Sequence, residues 1–387
     1  MTSIRTQILG VLAATLLSAC GGSDDAPRPP STKGAFTAVV SFGDSLSDVG
    51  AYAPATSLAG NGAAPYFGGK FTTNGAGSTV WVENLATSLG LAVTPAEVGF
   101  AGQSVKCPAA AISAALATTC TAYGQGGSRV TDPNGIGKAG GAMTVPVVTQ
   151  IANHLARFGS FKASDLIFVY VGSNDVFTQF GIFSARATQI QTDAATGKIT
   201  PDAANVALAA AQADAQAAMR QVATELAGYV KTQILAKGGV YVAVMTLSDI
   251  VDTPFGASLP ASVRPVLTEL SRSFNASLRE GLNEQPVQII DTFPIFKDVG
   301  ARATALGFTN QTAPACDASK VSAVTGGKVV DGSSLFCNVT PGAPFDALRT
   351  GASATTWFFA DGVHPTTGGH KAFSDAFAAQ LRQFGWI

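Results

Sequence analysis

Charge is the first scarcity. Only 13% of the 387 residues are Asp, Glu, Lys or Arg, and 24 basic side chains nearly cancel 25 acidic ones. No basic run occurs, so nothing recommends a nucleic-acid partner, which needs a concentrated positive surface. Histidine is scarcer still, with three residues, His154, His364 and His370. Two-metal and zinc centres draw on several histidines beside their acids, so no metal is expected. The five cysteines show no metal-type spacing. Apolar runs are short as well. Ile8–Leu17 cannot span a bilayer, and the Ala-rich stretch after Pro201 is broken by Asp214, Arg220 and Glu225. Composition does not break between Ala35 and Ile387, so 35–387 reads as one large domain.

What is present centres on Ser41-Phe42-Gly43-Asp44-Ser45-Leu46-Ser47-Asp48. A β-rich run, Thr37–Val40, leads into it and helix-starting residues follow, which places Ser45 on a strand-to-helix turn. There the hydroxyl is exposed and the backbone N–H lies at the positive end of a helix dipole, a good setting for a nucleophile whose product carries a negative oxygen. An ordinary N-capping serine has the same local signature. A serine nucleophile also needs a base. His154 lies inside a helical pattern with no acid at a useful position, as a surface or half-buried residue, and His370 opens the last helix, where exposure is expected. His364 follows Asp361 by three residues in Asp361-Gly362-Val363-His364-Pro365, close enough for the carboxylate to hold Nδ1–H and leave Nε2 free. Oxyanion donors could come from the Ser45 N–H, a glycine N–H of Gly126-Gly127, and the side-chain amide of Asn174.

Strand and helix patterns alternate along the chain. The apolar runs Leu166–Val171 and Val240–Leu247 read as strands buried on both faces, Val287–Asp291 reads as a further strand, and a short strand is expected between Leu91 and Phe100. Helices are expected over 145–158, 201–237, 263–283 and after Pro365. The fold class is therefore α/β, a doubly wound, flavodoxin-like, mostly parallel five-stranded sheet with helices on both faces and long loop insertions. The segments 102–143 and 307–345 read as loops. Ligands in such sheets bind at the carboxyl ends of the strands, where Ser45 and Asn174 both fall. Phe177, Phe180 and Phe183 follow Asn174 at a spacing that suits the buried stripe of a helix or an acyl pocket.

The amino terminus carries an export pattern. Arg5, the apolar Ile8–Leu17 and the small Ser18-Ala19 form a signal segment, 1–19. Leu17-Ser18-Ala19-Cys20 resembles the lipobox of bacterial lipoproteins, in which the cysteine carries the lipid. Residues 20–34 then form a polar tether with Pro27, Pro29 and Pro30, and Gly21 in place of Asp points to an outer-membrane lipoprotein, periplasmic or surface-facing. The other four cysteines form an even set in an oxidising compartment. Local pairing, Cys107 with Cys120 and Cys316 with Cys337, closes two short loops; four buried thiols is the alternative.

Taken together, the blocks resemble the GDSL, or SGNH, family of serine esterases and lipases over nearly all of 35–387. Gly43-Asp44-Ser45-Leu46 matches the nucleophile block, Gly172-Ser173-Asn174-Asp175 the third block and Asp361-Gly362-Val363-His364 the last. The second block, Ala122–Arg129, departs from the family's Asn-x-Ala-x-Gly-Gly-Ala-Arg at three positions; Gly127 matches its oxyanion glycine best, with Gly126 as fallback. Phe71 to Trp81, Phe274-Asn275 and Gly307–Asn310 resemble the branch of outer-membrane esterases, secreted lipases and phospholipid acyltransferases. The resemblance implies Ser45 as nucleophile, His364 as base, Asp361 as its partner and Asn174 as an oxyanion donor, acting on a lipid or small acyl ester with no metal or organic cofactor. Phospholipase, acyltransferase and carbohydrate deacetylase chemistry fit the same site. The rivals of other classes are a two-metal phosphoesterase built on Asp44, Asp48, Asp175 and Asp361, and a non-catalytic surface-binding lipoprotein.

Overall fold

The computed structural model describes residues 27–57 and 68–387. The signal segment, Cys20 and the first part of the tether lie outside the described residues. Six strands form the central sheet in the order β2-β5-β1-β6-β7-β8, every pair parallel: β1 (Ala38–Gly43), β2 (Thr94–Pro95), β5 (Cys120–Ala122), β6 (Asp165–Tyr170), β7 (Tyr241–Met245) and β8 (Gln288–Ile290). β3 (Glu97–Phe100) and β4 (Gln103–Lys106) make a separate antiparallel hairpin.

The period-two geometry of the strands divides the interior into two cores. Val40, Phe42, Ile167, Val169, Val242 and Val244 join one, while Val39, Leu166, Phe168, Tyr170, Ala243 and Met245 join the other. The first is covered by α4 (Val147–Phe158), α5 (Ser173–Ala195), α6 (Pro201–Tyr229) and α8 (Arg264–Gly281), the second by α2 (Trp81–Ser88), α9 (Thr292–Ala301) and α11 (Thr367–Gln383). Short helices α1 (Ala53–Ser57), α3 (Ala114–Ala117), α7 (Pro254–Ser258) and α10 (Ala318–Val324) sit in the loops. The continuous apolar runs of β6 and β7 follow directly, since both of their faces are buried.

The sheet has one strand more than expected. β5 is three residues inside the stretch read as loop, too short to show a period, and it pairs with β1 at Ser41 and Ala122. The strand expected within 91–100 is split. Thr94–Pro95 borders the sheet, where a proline without N–H is tolerated, and Glu97–Phe100 leaves to form the hairpin. Both local disulfides are present, Cys107–Cys120 and Cys316–Cys337. Residues 30–34 are bound to the fold rather than free of it. Trp386 Nε1 donates to the Pro30 carbonyl at 2.6 Å, and Gly34 N–H donates to the Trp386 carbonyl at 3.0 Å.

His154 is a correction. It is only 2% exposed, lies on the same stripe of α4 as Val147 and Ile151, and stacks on Phe161 with ring centroids 4.4 Å apart. Phe42 and Tyr123 meet it edge-on. A polar residue type occupies an apolar helical position, so side-chain type misled where spacing did not. Neither ring nitrogen has a partner among the described residues, and burial, with Arg157 and Lys162 nearby, pushes its pKa down to about 4. The unfolded imidazole takes a proton below its usual 6.5 while the folded one resists until about 4, so acidification across that window removes stability. His154→Phe should therefore stabilise the protein by about 1–3 kcal/mol at neutral pH, the cost of an unpaired buried polar group. The gain should grow as pH falls from 6.5 toward 4 in thermal melts; a difference that does not grow would refute this account.

Candidate active site

Three parallel strands deliver their following loops to one rim of the sheet. β1 ends at Gly43, whose amide N–H and carbonyl are both held by the Gln150 side chain of α4, at 2.9 and 2.8 Å. Glycine is required there by close approach: a Cβ would lie 2.4 Å from the Tyr170 carbonyl of β6. Asp44 then caps a 3-10 turn over Ser45–Ser47 by accepting from Leu46 N–H. Ser45 is thereby set just beyond the strand, nine-tenths buried but still reachable at 8% exposure.

The turn carrying Asp361 and His364 follows no sheet strand. It is a tight reversal closed by the Phe359–Pro365 bridge and by Ala360 N–H donating to the His364 carbonyl at 2.8 Å. It nonetheless reaches the same rim. His364 Nε2 lies 2.8 Å from Ser45 Oγ, and His364 Nδ1 lies 2.8 and 2.9 Å from the two Asp361 oxygens. Asp361 also accepts Val363 N–H, His364 N–H and Ser334 N–H at 2.8–2.9 Å. With Nδ1–H turned to the acid, Nε2 presents its lone pair to the serine hydroxyl. Burial alone would raise the Asp361 pKa, but the imidazole's charge and these donors outweigh it and hold the carboxyl below the usual range. For His364, burial would lower the pKa and the Asp361 charge and hydrogen bond raise it above the ordinary histidine value.

The oxyanion candidates separate on their hydrogen bonds. Gly126 N–H donates to Asp48 Oδ2 at 2.9 Å, so it is committed elsewhere. Gly127 and Ser45 N–H groups have no partner among the described residues. Gly127 has φ +78°, and a Cβ there would lie 1.9 Å from the Ile136 carbonyl, so only glycine fits. Asn174, on the first turn of α5, donates one amide hydrogen from Nδ2 to the Ser128 carbonyl at 2.9 Å and keeps the other. The second and third blocks are fastened together. Arg129 Nε and Val130 N–H donate to the two oxygens of Asp175 at 2.9 and 3.1 Å.

Several supporting residues had no signal in the sequence. Asp48 receives Gly50, Ala51 and Gly126 N–H groups, tying the serine turn to the glycine loop. Burial pushes its pKa, like that of Asp44, up to about 7. Ser334 belongs to the loop closed by Cys316–Cys337, and Cys316 N–H donates to the Ala360 carbonyl beside Asp361. Both cysteines therefore brace the acid. His370, expected to be exposed, is fully buried on the inner stripe of α11 with Phe373 and Phe377. Its Nδ1 accepts Trp81 N–H at 3.3 Å and its Nε2–H donates to the Phe71 carbonyl at 3.5 Å, and burial pushes its pKa down to about 3. That bond positions Phe71, whose ring lies 4.9 Å from the His364 ring. The four acids of the phosphoesterase reading each serve separate donors, and no three His, Cys, Asp or Glu among the described residues converge as metal ligands.

A model of the GDSL-like lipase/acylhydrolase family matches residues 39–377. The match spans the sheet and every residue of the site, and the chain belongs to that family. No curated protein matches it closely. The two neighbouring histidines should be separable by NMR. The His364 imidazole should titrate above 6.5 and drop in Asp361→Asn, whereas His370 should stay neutral until about pH 3. An unshifted His364 in the variant would contradict the coupling.

Proposed function

We propose that this acylhydrolase is a serine esterase that cleaves carboxylic esters through an acyl-enzyme on Ser45. The observation that carries the reading is the 2.8 Å contact between Ser45 Oγ and His364 Nε2, with Asp361 on the opposite nitrogen. In the first step Oγ bonds to the ester carbonyl carbon while its proton passes to Nε2. The carbonyl oxygen becomes an oxyanion facing the N–H groups of Ser45 and Gly127 and the free amide hydrogen of Asn174. Collapse breaks the carbon–oxygen bond to the alcohol, which takes the proton from Nε2. Water then attacks the acyl carbon, giving its proton to Nε2, and the acid leaves as Ser45 regains its hydrogen. Asp361 keeps the ring in the required tautomer throughout and offsets the imidazolium charge.

Export and lipid attachment at Cys20 complete the proposal, supported by the lipobox-like Leu17–Cys20 and by two disulfides suited to an oxidising compartment.

Ser45→Ala should abolish turnover of a chromogenic ester and covalent labelling by a fluorophosphonate; retained activity in folded protein would remove the nucleophile assignment. Asn174→Ala should lower kcat by roughly a hundredfold or more, the usual effect of losing one oxyanion donor. An unchanged kcat would take Asn174 out of the site.

A further inference from the structure

Two phenylalanines near the site pack against the first core but are only partly covered by it. Phe180 and Phe183 of α5 are buried in the first core, whereas Phe177, one turn from Asn174, is only half-buried. Its ring meets that of Phe255 edge-on, with centroids 5.5 Å apart. Phe255 is itself half-buried on α7, and its N–H donates at 2.8 Å to the carbonyl of Gly362, between Asp361 and His364. Val363 of that turn is half-buried too. Val251, Leu259 and Val263 flank α7 with the same partial exposure, packed against the core. A strip of incompletely covered apolar side chains therefore begins one helical turn from the amide of Asn174 and ends at the turn bearing His364.

We propose that this strip is the acyl-chain subsite, so that the preferred substrate is an ester of a medium or long apolar acid. The inference rests on the reading of Ser45 as nucleophile. The carbon carrying the oxyanion also carries the acyl chain, and one helical turn from Asn174 is about 5.4 Å, the reach of the first few methylenes. The acyl group stays through both chemical steps while the alcohol departs after the first. A wall on two helices packed against the core suits the part that stays. Apolar side chains left half-exposed at a reacting centre gain their burial when such a chain lies on them.

The test is a p-nitrophenyl ester series from acetyl to dodecanoyl, run on the wild-type protein, Phe177→Ala, Phe255→Ala and Phe177→Trp. The wild type should favour octanoyl or longer esters over acetyl. Each alanine variant should lower the octanoyl-to-acetyl ratio of kcat/KM by roughly tenfold, the scale on which pocket contacts with one or two methylenes discriminate. Phe177→Trp should move the optimum to shorter chains. Thermal melting checks folding, and Phe177→Leu and Phe255→Leu, which keep most of the volume, should shift the ratio the same way if an alanine variant does not fold. Unchanged ratios overturn the proposal. So does a shift confined to acetate esters of lengthening alcohols, which would assign the strip to the leaving group. Failure of wild-type Ser45 to take a fluorophosphonate would instead sink the nucleophile reading itself.

Discussion

A carboxylate removed from water must be given donors or give up its charge, and four of them surround Ser45. Asp361 is satisfied most completely, by the imidazole and three backbone N–H groups drawn from two segments. Asp175 is met by Arg129 and Val130, Asp48 by three amides, and Asp44 by the single amide it caps. Some of these bonds join distant segments: Gly126 N–H to Asp48, Arg129 and Val130 N–H to Asp175, and Ser334 N–H to Asp361. The serine turn, the glycine loop, the start of α5 and the Asp361–His364 turn come from distant parts of the chain, and the need to satisfy buried acids draws them to one place. Charge is rare in this protein, and where it is buried it serves as fastening.

That arrangement also orders the acids by electrostatics. Asp361 has surplus donors and stays ionised, which is what an imidazole gaining a proton requires. Asp44 and Asp48, with pKa values raised to about 7, are poised nearer neutrality.

The sequence made the frame legible because its strongest signals are local. Continuous apolar runs mark β6 and β7, and short motifs on strand-to-helix turns place Ser45 and Asn174. Asp361 and His364 were legible as a pair three residues apart, but their meeting with Ser45 across 319 positions is a tertiary fact. What stayed hidden depends on distant partners. Gln150 clasps Gly43, Ser334 supports Asp361, and β5 is too short to carry a period of its own. His154 and His370 were misjudged for one reason, that a polar side chain was given more weight than its place on an apolar helical stripe. Gly126 and Gly127 differ by one hydrogen bond to Asp48, which no motif could contain.

The bonds from Pro30 and Gly34 to Trp386 fix where the amino-terminal segment joins the body. β1 starts just beyond that point, at Ala38, and ends at Gly43, two residues before Ser45. β1 thus separates that junction from Ser45 by the length of a six-residue strand, about 20 Å. Whatever the leading segment is joined to is thereby kept a strand's length away from Ser45.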